Sequence, residues 1–162
     1  MEVSNSKKIK QLHFLINDNF TVAKHCRATM ETISEISLRH YFQKLAAKRS
    51  QFAIELGDQL NELGEKKPYI PTSTYESRWS EISHENKLKN VRKNLKLYKQ
   101  SLSKYKRALS NINDGNCREI LIRHKAIIAG HITELRSLKK LIKEKIETTT
   151  GNDSSKHQEE LI

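Results

Sequence analysis

The stretch LKNVRKNLKLYKQSLSKYKRALSNI, from Leu88 to Ile112, decides the fold. Its apolar residues Leu88, Val91, Leu95, Tyr98, Leu102, Tyr105, Leu109 and Ile112 alternate steps of three and four without a break, the seam of a helix packed against other helices. A strand would need period two, and nothing here alternates that way. Around the seam lie Lys87, Lys89, Arg92, Lys93, Lys96, Lys99, Lys104, Lys106 and Arg107, with no carboxylate anywhere from Asn86 to Asn113. The stretch predicts a helix over 85–112 with one apolar face and a strongly basic outer surface.

The same stepping recurs on both sides. Upstream, Ile9, Leu12, Ile16, Phe20, Ala23, Cys26, Met30 and Ile33 trace a helix over 6–33. Leu38, Phe42, Leu45, Phe52, Leu56, Leu60 and Leu63 trace another over 37–64, with Ser34 and Ser37 as N-cap candidates and Gly64 as the C-cap. Downstream of Asp114-Gly115-Asn116, residues Leu121, His124, Ile128, His131, Leu135, Leu138 and Ile142 share one face of a helix over 117–147. Both prolines, Pro68 and Pro71, fall in the connection 65–84, and the polar residues 148–162 read as a disordered tail. The expected architecture is all-α: one four-helix-bundle domain over 1–147, built from two helical hairpins joined by a long crossover, the ferritin-like connection. An up-down-up-down bundle with a folded linker is the open alternative. Tyr69, Ile70, Tyr75 and Trp79 in the connection either cap the core or form a dimer surface.

Composition excludes several classes. The longest apolar runs, Ile120-Leu121-Ile122 and Ala126 to Ala129, fall far short of the ~20 residues that span a bilayer, so a soluble, cytoplasmic protein without membrane attachment is expected. Cys26 and Cys117 lie 91 positions apart with no CxxC, which favours buried thiols over a disulfide framework or a thiolate zinc site. No GxGxxG, P-loop or HExxH is present, and no nucleophile elbow accompanies either cysteine.

The net charge of +11 is unevenly placed: residues 1–66 carry +2, residues 67–109 carry +8 and residues 110–162 carry +1. Lys89, Arg92, Lys93, Lys96, Lys99, Lys104, Lys106 and Arg107 thus form a basic strip ~30 Å long on the third helix. Such a strip can follow a phosphate backbone. No aromatic residue interleaves it outside the seam and no groove-reading module accompanies it, so a homodimer or an acidic protein partner is favoured over nucleic acid.

One series of residues points to a family. Ala46-x-x-Arg49-x-x-Phe52-x-x-Glu55-Leu56 leads into Leu63-Gly64, Pro68 and Arg78-Trp79, followed by Tyr105-x-x-Ala108-Leu109 and His131. In order and spacing, from about Leu12 to Leu138, this resembles a bacterial ferritin-like domain-of-unknown-function family of small four-helix bundles, loosely rubrerythrin-like. The resemblance implies a ferritin-like bundle with no assigned reaction, a stress-associated setting, and iron or another divalent metal as an inherited alternative.

The residues argue against a full metal set. A di-metal site of this fold takes one Glu from each of two helices and a Glu-x-x-His from each of the other two. Here the single Glu-x-x-His, Glu81 to His84, stands at the entrance to the third helix, and 15 glutamates and 7 histidines in 162 positions give roughly 0.65 such pairs by chance. Only Asp18, Glu55, His131 and Glu134 offer a partial set. His124 and His131 lie seven residues, or ~10.5 Å, apart on their helix, too far to share one ion. Arg49, Tyr98, Tyr105 and His124 read instead as a polar layer in the core, Arg49 pairing with Asp18 or a backbone carbonyl and the histidines bonding to Tyr98 or Tyr105. The expectation is a non-enzymatic interaction or stress-associated bundle without a cofactor, its carboxylate set largely lost. The alternatives are a reduced metal site and a salt-sensitive nucleic-acid-associated protein using the third helix.

Overall fold

The computed structural model describes residues 2–66, 68 and 84–159, and the side chains of 5–66, 68 and 86–148. Among the described residues the helices are α1 (Glu2–Glu31), α2 (Ile36–Glu62), α3 (His84–Asn111) and α4 (Gly115–Glu159), and there is no strand. Tyr69, Ile70, Tyr75, Arg78, Trp79 and Glu81 lie outside the described residues.

Two ion pairs at opposite ends of the bundle fix the topology. Lys8 Nζ bonds Asp114 Oδ2 at 2.6 Å, joining the start of α1 to the α3–α4 turn, while Lys87 Nζ bonds Glu35 Oε1 at 2.6 Å, joining the start of α3 to the α1–α2 turn. Helix α1 therefore runs antiparallel to α3, and α2 runs parallel to α3. The connection from α2 to α3 joins opposite ends of the bundle, which is the long crossover and not the up-down-up-down arrangement. Helix α1 packs on α2 and α3, and α4 packs on α3 and α2, leaving α1/α4 and α2/α3 as the diagonals.

The apolar stripes meet along the axis. Leu12, Leu15, Ile16, Val22 and Cys26 of α1 pack with Phe42, Leu45, Phe52, Leu56 and Leu60 of α2, Val91, Leu95, Tyr98 and Tyr105 of α3, and Leu121, Ile128 and Leu135 of α4. Helix α2 ends where Gly64 turns to φ +84°, a conformation that side chains with a Cβ rarely adopt. Glu65 N–H donates to Leu60 O and Gly64 N–H to Asn61 O, each at 3.0 Å, the double closure of a Schellman cap. Pro68 then lies beside Gly57, with its Cδ 3.9 Å from where a Cβ on that glycine would sit. The chain has by then turned back along α2.

Two expectations at the helix ends need correction. The N-cap of α2 is Glu35, not Ser34 or Ser37, and its side chain makes no capping bond because its carboxylate serves Lys87 on α3. Helix α4 does not stop at 147: its backbone stays helical to Glu159, about 20 Å beyond Ile146, the last residue packed on the core among the described side chains. Thr148 returns its hydroxyl to Glu144 O at 2.8 Å, and no proline follows to break the ladder. Gly130 stands in the middle of α4 with nothing within 4 Å of a Cβ placed there. Gly130→Ala should therefore raise stability by about 0.5–1 kcal/mol, read as a rise of ~1–4 °C in the thermal midpoint.

Candidate functional site

The middle of the bundle holds a charged layer. On α2 the apolar stripe steps from Leu45 to Phe52 through Arg49, so the guanidinium is carried inward with its neighbours and is 0% exposed. On α3, Ser101 lies between Tyr98 and Tyr105 on the inner side, and its small side chain leaves room for the arginine head. On α1, Asp18 enters from beside Ile16. Asp18 Oδ2 accepts Ser101 Oγ–H at 2.6 Å and Arg49 Nη2–H at 3.3 Å, and Oδ1 accepts Lys104 Nζ–H at 2.8 Å. Arg49 Nη2 also donates to Ser101 Oγ, and its guanidinium carbon stands 5.0 Å from the Tyr98 ring centre. One carboxylate thus holds two cations and a hydroxyl, while Arg49 Nε and Nη1 are buried without a hydrogen-bond partner among the described residues.

One turn away lies a second network. Asn19 Nδ2 donates to Leu15 O and to Tyr105 Oη, each at 2.9 Å. Because the Glu55 carboxylate can only accept, the imidazole proton sits on Nε2 and reaches Glu55 Oε2 at 3.0 Å, which leaves Nδ1 to accept the Tyr105 hydroxyl proton at 2.9 Å. Burial pushes the His124 pKa down to about 4, so the ring is neutral at pH 7, in agreement with that tautomer. The ring stacks on Phe52, with centroids 3.8 Å apart and planes 12° from parallel. Burial alone would raise the Glu55 carboxyl, but hydrogen bonds from Arg123 and His124 outweigh it and hold the group below its ordinary value. Arg123 grips Glu55 with both nitrogens, at 2.6 and 3.3 Å.

The four candidate metal ligands are not brought together. Asp18 is surrounded by Arg49, Ser101 and Lys104, and Glu55 belongs to Arg123 and His124. Glu134 is at the surface, where its Oε2 accepts Tyr41 Oη–H at 2.9 Å. His131 sets its ring edge-on to Tyr98 at 5.9 Å without a hydrogen bond between them, and its Nδ1 is buried without a partner among the described residues. Among the described residues no three His, Cys, Asp or Glu side chains converge as a metal group. A pair of divalent ions wants several hard oxygens at one level. The level here offers one carboxylate, already neutralised, beside two cations, so the residues do not fit such a pair.

Cys26 does not supply a nucleophile either. Its Sγ lies 3.6 Å from Asn94 Oδ1 and 3.8 Å from Tyr98 Oη, and burial pushes its pKa up to about 11, far from the thiolate. Sequence reading missed Asn94 and Ser101 as inward-facing groups. They lie seven residues apart, each three positions after a seam residue, and Ala108 continues the series. That second heptad row of small and polar residues was the available signal. Lys104, expected on the outer strip, turns inward to Asp18, as Lys87 does to Glu35. Lys89, Arg92, Lys93, Lys96, Lys99, Lys106 and Arg107 are exposed.

Two antiparallel helical hairpins joined by a full-length crossover, with a polar layer at mid-height, define a ferritin-like four-helix bundle. The likeness extends to solved structures. The chain is similar to a ferritin-like, diiron-carboxylate protein of Bacillus anthracis str. Ames, with TM-score 0.66 and 15% identity over 86% of this chain and 99% of that one. No protein-family model and no curated protein matches the sequence. No helix among the described residues is long and apolar enough to cross a membrane.

Proposed function

We propose that this chain is a non-enzymatic ferritin-like bundle in which an internal ion-pair layer replaces the metal pair, and that it acts through its surface as an interaction protein. The observation that carries this reading is the engagement of both Asp18 oxygens, one by Lys104 and the other by Arg49 and Ser101. A guanidinium at mid-bundle provides fixed positive charge where a metal ion would otherwise sit between helices, and it requires no further carboxylates. The absence of any carboxylate from Asn86 to Asn113 supports the same reading, since α3 then has no carboxylate to contribute beyond its first turn. The stress-associated setting implied by the family resemblance is compatible with it.

Metal analysis tests the proposal. Protein produced in iron- and manganese-supplemented medium and purified without chelator should carry less than about a tenth of an equivalent of any transition metal. A larger content that Asp18→Asn abolishes would overturn the reading.

A further inference from the structure

We infer that the outer face of α3 is a docking surface for the phosphate backbone of double-stranded nucleic acid. The inference rests on the proposal that the protein works through its surface. Lys89, Arg92, Lys93, Lys96, Lys99, Lys106 and Arg107 are exposed, lie within one side of the helix, and span about 27 Å from first to last. Their axial spacing averages ~4.5 Å, with one gap of about 10.5 Å between Lys99 and Lys106, of the same order as the ~3.4 Å rise per phosphate along one strand of a duplex. None of the seven is paired with a carboxylate among the described residues.

The fold itself sorts the cations. Lys87 and Lys104 are taken up by Glu35 and Asp18, whereas these seven are exposed and have no carboxylate partner among the described residues, so like charges crowd one side of the helix. The shape of the strip selects the partner. A membrane-surface helix needs an apolar face to insert. The apolar face of α3 is in the bundle core, and the exposed large apolar side chains Phe14, Ile36, Ile54, Ile122 and Leu141 all belong to other helices. Single strands are held by stacking on exposed aromatics. The aromatic residues of α3, Tyr98 and Tyr105, are both buried. A duplex backbone asks only for a straight row of cations, and such binding is independent of sequence and steep in salt.

The test is fluorescence anisotropy with the full chain and a mixed-sequence duplex of about 25 base pairs at several KCl concentrations, with EDTA present throughout. Engagement of four to seven phosphates gives a slope of log Kobs against log salt of about −3.6 to −6.3, a loss of roughly two to four orders of magnitude between 50 and 200 mM. Lys93→Gln, Lys96→Gln, Lys99→Gln and Arg107→Gln together should weaken binding at 50 mM at least about ten-fold and make the slope shallower by up to about 3.6. The same number of changes elsewhere, Lys44→Gln, Arg136→Gln, Lys140→Gln and Lys143→Gln, should leave the slope in place. No duplex binding at 50 mM, a slope near zero, or equal effects of the two variants would overturn the inference. So would tighter binding to poly-glutamate or to phosphatidylserine vesicles than to the duplex. These outcomes are independent of metal content, so the α3 surface and the metal-free centre stand or fall separately.

Discussion

Asp18→Asn should destabilise the protein by about 3–5 kcal/mol, a fall of roughly 6–20 °C in thermal midpoint, because it leaves a fully buried guanidinium with no counter-ion. The partner substitution is expected to behave differently. Arg49→Met also breaks the pair, but Asp18 keeps the Ser101 hydroxyl and the Lys104 ammonium, and Lys104 is half-buried and reaches solvent. Methionine fills much of the arginine stem and leaves no unpaired donor, so the loss should be smaller than for Asp18→Asn. The double variant Asp18→Asn/Arg49→Met should be more stable than Asp18→Asn alone, since replacing an entire buried pair by neutral groups is often close to neutral. Urea unfolding of the four proteins closes the cycle. A cost below about 1 kcal/mol for Asp18→Asn, or a double variant that merely adds the two single losses, would show that Asp18 and Arg49 are not the coupled centre of the bundle.

The contrast between the two halves of that pair reflects how much the sequence could say. The seam from Leu88 to Ile112 made α3 legible because every apolar step of three or four lands on one face. The ends of α2 show the limit. Gly64 was readable because only its left-handed conformation closes the cap, whereas the N-cap was misread because Glu35 makes its contact with Lys87, 52 positions away. The charged layer was half-legible for the same reason. An arginine in an apolar stripe must find an acceptor, and Asp18 was one of few carboxylates able to face it. That Ser101 and Lys104 would complete the shell depended on which helices are neighbours and which are diagonal, and hydrophobic stepping carries no such information. Lysines around a seam look alike in sequence. Only the approach of α1 separates Lys104, drawn to Asp18, from Lys99 and Lys106 in solvent.

The second large effect is a loss of stability in mild acid, and its principal source is His124. In the unfolded chain this imidazole titrates near 6.5, while in the fold burial lowers its pKa to about 4. Between those values the unfolded state binds a proton that the folded state refuses, so stability falls as pH drops through this window. The difference amounts to about 2 kcal/mol between pH 7 and 5 and about 3 kcal/mol by pH 4. Glu55 acts with the same sign in a lower window: its depressed pKa contributes stability above 4.5 that is lost as the carboxylate protonates further down. His25 and His131, both lowered first by burial, add to the same slope as His124. His124→Gln presents a neutral amide to the Glu55 side of the network and does not titrate. It should lower stability at pH 7 through imperfect bonding to Tyr105, yet lose about 2 kcal/mol less than the native protein on going to pH 5, a difference of ~4–8 °C in the shift of thermal midpoint. An equal shift in the two proteins would mean that His124 takes up its proton over the same pH range in the fold as in the unfolded chain. At pH 5 both ring nitrogens would then carry protons, Nε2–H still donating to Glu55 and Nδ1–H pointing at a phenol oxygen that already accepts from Asn19.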